Sequence, residues 1–244
     1  MRNQVKIAAG INVFNDCRSL ARTLESAVGH FDTIYVIDGR YPDYPTENNA
    51  EKYSTDGTSE LVDAYPNCKY IKLYAEQKDK RTRYLKECKY DFLLVLDADE
   101  YLVTTSWPTF QDQLYRYIVQ MPERDRFYQY QIRYQAEPDK IIMLPRLIYN
   151  PNRLIYTTHW TLIADPVDNR TVASSSVIDG ITIATNDLLR PYGRLQYDID
   201  YQWALFRKEG VISDKVFNDA ECKQNFADHI IWEVNVWKPK IYQP

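Results

Sequence analysis

The chain reads as an α/β protein built on a mostly parallel sheet, and three observations predict this. Strand and helix signals alternate through the first hundred residues, which is the rhythm of right-handed crossover connections. Leu93-Leu94-Val95-Leu96 is a continuous apolar run that ends abruptly in Asp97-Ala98-Asp99-Glu100. Such a run suits a strand buried on both faces, as in a parallel sheet. The 244 residues, 45% of them hydrophobic, are enough for one substantial domain with a real core, with or without an appendage.

Val5 to Phe14 reads as the first strand. Asn15 or Asp16 can cap a helix whose Leu20, Leu24, Ala27 and Val28 share one face. Thr33 to Ile37 is the next strand and runs into Asp38-Gly39. Pro42 and Pro45 mark an irregular stretch. Asp56-Gly57-Thr58 opens a short helix that Pro66 stops. Tyr70 to Tyr74 is a third strand, Lys80 to Cys88 a helix, and Phe92 to Leu96 the acid-bearing strand. Ser106 to Met121 reads as a helix with Pro108 in its first turn. In Phe127 to Gln135, Tyr128, Tyr130, Ile132 and Tyr134 alternate with Gln129, Gln131 and Arg133, the pattern of a half-buried strand. Ile141 to Tyr149 and Leu154 to Ile163 read as further strands. Two helices finish the chain: one through Leu195, Ile199, Trp203 and Phe206, the other through Cys222, Phe226, Ile230, Val234 and Trp237. The expected organisation is one domain over 1–185 with a C-terminal helical extension of it over 186–244.

Composition narrows the function classes. A net charge of -4 argues against a general nucleic-acid binder. Cys17, Cys68, Cys88 and Cys222 are widely spaced, with no Cys-x-x-Cys pair to suggest zinc. Reduced thiols in a cytoplasmic setting are the expectation. Met1 to Phe14 lacks a signal-peptide core, and no segment reaches the ~20 apolar residues of a membrane span. Contact with the inner face of a membrane and the oligomeric state are left open.

The carboxylates come at strand ends. Asp38 ends one strand, Asp56 opens a helix, and Asp97 and Asp99 end another strand. Strand ends of a parallel sheet share one edge, and ligands bind outside it. Asp-x-Asp at such a place can hold a hard divalent cation, which in turn holds a diphosphate. Taken alone, Asp-x-Asp reads first as a polar loop; the apolar strand before it makes the two readings even. A nucleotide suits the layout, since one carboxylate can accept from a base N–H and another from ribose hydroxyls. Lys80 and Arg81 could add positive charge near the phosphates, or be an ordinary solvated helix end.

In their order, Asn15-Asp16, the stretch from Phe31 to Gly39, Thr55-Asp56-Gly57-Thr58, Lys80-Arg81 and Leu96-Asp97-Ala98-Asp99-Glu100 resemble the family 2 glycosyltransferases. The branch carrying Asp-Ala-Asp-Glu is the most similar, and its members often modify lipopolysaccharide cores or other surface glycans. The resemblance covers about residues 5–160. It implies the GT-A (Rossmann-like) fold, a mostly parallel mixed sheet, over 1–185. It implies a hexosyltransferase-like enzyme using a nucleoside diphosphate sugar with Mn²⁺ or Mg²⁺, acting on a glycan, lipid-linked or protein acceptor. Asn15, Asp38, Asp56, Arg81 and Asp97 would then contact the donor, and Asp97 and Asp99 the metal. Pro145-Arg146-Leu147 and the strand ending Tyr156-Thr157-Thr158-His159 also look like the family, which makes His159 a metal or phosphate candidate. Trp160 stands where the branch usually has Glu, a second family His is replaced near Thr185-Asn186, and Arg40 to Tyr53 is longer than usual.

An inverting transfer needs a carboxylate to deprotonate the acceptor hydroxyl. Glu137 and Asp139, in a loop between strands, and Asp179 are the candidates, while Glu100 is expected to support the metal loop. Three other classes stay open. A haloacid-dehalogenase-type phosphatase also ends a strand in Asp-x-Asp, but near its N-terminus and with Thr or Val where Tyr101 stands. A sugar nucleotidyltransferase needs a Gly-rich N-terminal loop, and Gly10 is nearly alone. A catalytically inactive glycan-binding or scaffold protein on the same fold is the third.

Overall fold

The computed structural model describes residues 5–42, 51–104, 106–121, 128–137, 140–157, 162–164, 170–171 and 174–185, and beyond these 203–204, 206–208, 213, 218 and 220–225. The chain divides into two compact units. The first is Met1–Tyr41 with Lys52–Asn186, the second Pro42–Glu51 with Asp187–Pro244. In the second unit, 203–204, 206–208 and 220–225 are helical and Trp203 is buried. Among the described residues no helix is long and apolar enough to cross a membrane.

The elements of the first unit are β1 (Ile7–Val13), α1 (Cys17–Ala27), β2 (Thr33–Asp38), α2 (Thr58–Asp63), β3 (Cys68–Lys72), α3 (Gln77–Glu87), β4 (Phe92–Asp97), β5 (Glu100–Thr104), α4 (Trp107–Gln120), β6 (Gln129–Glu137), β7 (Lys140–Tyr149), β8 (Leu154–Tyr156), β9 (Leu162–Ala164), β10 (Arg170–Thr171) and β11 (Ser174–Thr185). An eight-stranded mixed sheet runs β3-β2-β1-β4-β7-β6-β11-β5, and a three-stranded sheet runs β10-β9-β8. β3, β2, β1 and β4 are parallel, β7 is antiparallel to β4 and to β6, β11 is parallel to β6, and β5 is antiparallel to β11.

Every residue of β1 and β2 is buried, which is why these strands read as unbroken apolar runs. Alternate residues serve two cores. Ile7, Ala9 and Ile11 of β1, with Leu94 and Leu96 of β4, pack with Leu20 and Leu24 of α1. Ala8 of β1, with Leu93 and Val95 of β4, packs with Tyr84 and Leu85 of α3. Gly10 belongs to the α3 face, and an added Cβ there would lie 2.7 Å from the Tyr84 ring. Its missing side chain lets α3 settle directly on β1.

The sheet curls. Only Ala98 and Asp99 join β4 to β5, yet these strands are four places apart in the sheet. Four strand spacings of a flat sheet make ~19 Å, whereas three Cα steps reach ~11 Å. β4 keeps its pairing with β7 only from Phe92 to Leu94, so the remaining strands can bend away and return. β5 comes back beneath α1, where Ser26 Oγ accepts from the Leu102 N–H at 3.0 Å.

Two expectations change here. Leu154 to Ile163 is not one strand. β8 and β9 are separate strands of the small sheet, and it is β7 that lies beside β4. The α1 cap is also different. Asp16 occupies the N-cap position without a side-chain cap bond, and the Cys17 N–H instead donates to Asp56 Oδ2 at 2.7 Å.

Candidate functional site

The strand order places a topological switch between β1 and β4. From β1 the chain steps outward to β2 and β3, then returns to β4 on the other side. The loops leaving β1 and β4 diverge there, and such a crevice is where α/β sheets bind ligands. Register brings Asn12 beside Asp97, and Val13 beside Asp38. The acids do share one edge, but they form two clusters along it.

The first cluster surrounds Asp38, which is fully buried. Its Oδ1 accepts from Ser54 Oγ at 2.5 Å, and its Oδ2 from the Ser54 N–H at 3.0 Å and from the Tyr70 hydroxyl at 2.5 Å. The Asn15 N–H donates to Ser54 Oγ at 2.8 Å, and Asn15 Oδ1 accepts from the Thr55 N–H at 2.9 Å. Asn15 needs the left-handed region for this, with φ 47°, a conformation that Asn tolerates. Asp56 accepts from Cys17 as above, and its Oδ1 accepts from Thr58 Oγ1 at 2.5 Å. Asn15, Asp38 and Asp56 thus tie the β1, β2 and α2 loops into one wall. Ser54 and Tyr70, which the sequence offered no motif to mark, complete it.

The second cluster surrounds Asp97. Its Oδ1 lies 3.4 Å from Arg81 Nη2 and its Oδ2 3.1 Å from Arg146 Nη2. The same Arg146 nitrogen is 2.6 Å from Glu100 Oε1. Glu100 Oε2 accepts from the Asp97 N–H at 2.8 Å, and Thr23 Oγ1 of α1 donates to the Ala98 carbonyl at 2.7 Å. The Asp97–Glu100 turn is therefore fixed from three sides, and Asp99 within it is buried. Burial pushes the Glu100 carboxyl upward while the adjacent guanidinium pulls it down. Burial also works against the charged Arg146, but Glu100 and Asp97 more than offset this and raise it. We take the Arg146–Glu100 contact as an ion pair.

Lys80 and Arg81 are both buried, which excludes a solvated helix end. Lys80 Nζ donates to the Gly39 carbonyl and sits 4.5 Å from the Tyr41 ring centroid. Burial lowers it to about 7, against the pull of Asp38. Arg81 also stacks on Tyr156, 5.6 Å from its ring centroid. The Tyr156 N–H donates to Thr82 Oγ1 at 2.9 Å, so β8 is held against α3 next to the Asp97 cluster. The Tyr84 hydroxyl is buried with no hydrogen-bond partner among the described residues.

The three base candidates separate. Glu137 ends β6 opposite Lys140. Gln135 lies beside Ala184, and Ala184 beside Tyr101, so the backbone puts Glu137 at the Glu100 end of the sheet. Asp139 lies outside the described residues. Asp179 lies apart from the acid turn along β11, because Thr185 pairs with Glu100 while Asp179 lies six residues back along the same strand. The regular stretch from Ile181 to Thr185 alone is ~13 Å of extended chain, and Asp179 lies beyond it, engaged by Arg133 at 2.9 Å. His159 lies outside the described residues. The strand before it does not adjoin β4, since β8 pairs with β9 in the small sheet.

Among the described residues no group of three or more His, Cys, Asp or Glu side chains could hold a metal ion. Asp97 and Asp99 offer hard carboxylate oxygens in a turn held in place. That set fits a Mg²⁺-like cation, which takes one or two carboxylates and completes its shell with phosphate oxygens and water.

No protein-family model and no curated protein matches the chain. Structures found similar include Staphylococcus aureus TarS 1-349 in complex with UDP, at 14% identity over 93% of this chain and 71% of that one, TM-score 0.48. Another is the mannosyltransferase PcManGT from Pyrobaculum calidifontis in complex with GDP-Man and Mn²⁺, at 11% identity over 96% of this chain and 73% of that one, TM-score 0.48. Against S. aureus TarS the figures are 14% identity, 94% of this chain and TM-score 0.47, and the chain spans about half (49%) of that protein's length.

Proposed function

We propose that the chain is a glycosyltransferase that moves a sugar from a nucleoside diphosphate sugar to a hydroxyl of a glycan, lipid-linked or protein acceptor. The observation that carries this is the Asp97–Glu100 turn at the switch-point crevice, with two buried guanidiniums beside it. Asp97 and Asp99 would hold Mn²⁺ or Mg²⁺. When bound, that cation supplies positive charge to the departing diphosphate. Arg81 and Arg146, both beside Asp97, would take oxygens of the same diphosphate, since guanidiniums match phosphate oxygens in bidentate fashion. Asp38 acts as a positioning residue, holding Ser54 and Tyr70 against the nucleoside side of the crevice. An inverting transfer draws its base from the β6–β7 hairpin, with Glu137 or Asp139 taking the acceptor proton. The acceptor oxygen then attacks the oxocarbenium-like sugar carbon as the diphosphate leaves.

The test is thermal stability against UDP, GDP, CDP and TDP, each with and without Mn²⁺. A ligand that binds only the native state stabilises by RT ln(1 + [L]/Kd), about 2.7 kcal/mol at ~100-fold saturation. One nucleotide should give that stabilisation with Mn²⁺ present, and Asp99→Asn should remove most of it. Full stabilisation in EDTA overturns the metal assignment. No stabilisation by any of the four overturns the donor site. Donor hydrolysis in Mn²⁺ separates an enzyme from an inactive glycan-binding protein.

A further inference from the structure

The acid turn carries its own counter-cations. Asp97 and Glu100 meet the guanidiniums of Arg81 and Arg146 in contacts of 2.6 to 3.4 Å, and Asp99 lies buried in the same turn. Both oxygens of Asp97 face a guanidinium, and both arginines are held in place by burial. A bare divalent cation arriving at Asp97 must push the guanidiniums aside or sit among them, and in a partly buried site that repulsion is weakly screened. A cation that brings a diphosphate meets a different balance. The phosphate oxygens give Arg81 and Arg146 new acceptors of the geometry they already grip, so Asp97 can exchange its guanidinium partners for the metal.

We propose that Arg146, together with Arg81, closes the Asp97–Asp99 turn to a free divalent cation and opens it to the cation–diphosphate pair, so that metal and donor load together. The proposal rests on the donor-site reading above and adds an order of assembly to it. Arg146 is the decisive member because one of its nitrogens bridges Asp97 and Glu100. Lysine is not its equal, since a single ammonium has no planar fork with which to take a diphosphate in bidentate fashion.

The experiment measures Mn²⁺ binding by loss of the free-ion electron paramagnetic resonance signal, first with Mn²⁺ alone and then with UDP or GDP added. Wild type should bind Mn²⁺ alone at least about tenfold more weakly than with the nucleotide that stabilises it. Arg146→Gln should bind Mn²⁺ alone about tenfold more tightly than wild type, and bind nucleotide in Mn²⁺ less tightly. Arg146→Lys keeps a cation for folding and should shift both affinities the same way by a smaller factor. A merely structural arginine predicts loss of Mn²⁺ affinity in these variants, never gain. Wild type binding Mn²⁺ alone as tightly as with nucleotide overturns the proposal. So does unchanged or weakened Mn²⁺-alone affinity in Arg146→Lys. Wild type that binds no nucleoside diphosphate overturns the donor-site reading and this inference together. Wild type that binds nucleotide normally, with variants unchanged towards Mn²⁺ alone, overturns this inference only.

Discussion

Gly10→Ala tests the packing that brings the α3 cations to the crevice. An added Cβ would lie 2.7, 2.8 and 2.9 Å from three ring carbons of Tyr84. Ordinary carbon contacts fall at ~3.5–4.0 Å, so the ring must retreat by ~0.8 Å or the strand must yield. Tyr84 is fully buried among Ala8, Leu93, Val95 and Leu85, and has little room to turn. Overpacking of this kind costs ~1–3 kcal/mol, and the restriction Ala places on the unfolded chain offsets about 0.5 kcal/mol of it. With an m-value of ~2 kcal/mol/M, the urea midpoint should fall by ~0.25–1.25 M at unchanged slope. α3 also carries Lys80 to Gly39 and Arg81 to Asp97, so stabilisation by nucleotide with Mn²⁺ should fall as well. A double-mutant cycle with Tyr84→Leu should show relief, because the smaller side chain vacates the clash. A midpoint within ~0.2 M of wild type, or no coupling to Tyr84→Leu, would refute this account of how α3 sits on β1.

Two further predictions follow from particular side chains. Burial lowers Lys80 to about 7 from an ordinary value near 10.5. Between these values the unfolded chain binds the proton that the folded chain has released, so stability should rise with pH across that window. Lys80→Met should flatten the rise, which urea midpoints measured from pH 6.5 to 10 would show, and an unchanged slope counts against the buried lysine. Asp179 pairs with Arg133 where both side chains are about half exposed, so Asp179→Asn should cost under ~1 kcal/mol. Donor turnover should survive it, and its loss would return Asp179 to the list of candidate bases.

The parallel half of the sheet was legible because its physics is local. β1, β2 and β4 are buried on both faces, so each reads as an apolar run, and each run ends where the chain meets water. The carboxylates at those ends could be placed on one edge from topology alone. Their partners could not. Asp38 is satisfied by Tyr70 on β3 and by Ser54, sixteen residues away; Asp97 is met by Arg146, forty-nine residues away. On the sequence Pro145-Arg146-Leu147 resembles a family stretch, but nothing there sets Arg146 against Asp97. β11 was missed for a different reason. Ile178, Ile181 and Ile183 are all buried, and the odd spacing between the first two breaks the two-residue period of a strand. The cause is a register shift between Val177 and Thr182, where Gly180 adopts φ 102° against α4. That irregularity hides the strand that carries Thr185 to Glu100.

Adjacent Lys80 and Arg81 make the same point at the site itself. Helical periodicity sets neighbouring residues ~100° apart, so burial of both argues against a simple helix face lying on a sheet. The first turn of α3 instead stands over the strand ends, with Lys80 reaching the end of β2 and Arg81 the end of β4. Between these two ends lies β1, whose Gly10 admits Tyr84 one turn further along the helix. The glycine that seemed nearly alone in the sequence is thus what sets the height of the helix. The two cations beside the crevice hold their positions because β1 has no side chain at that residue.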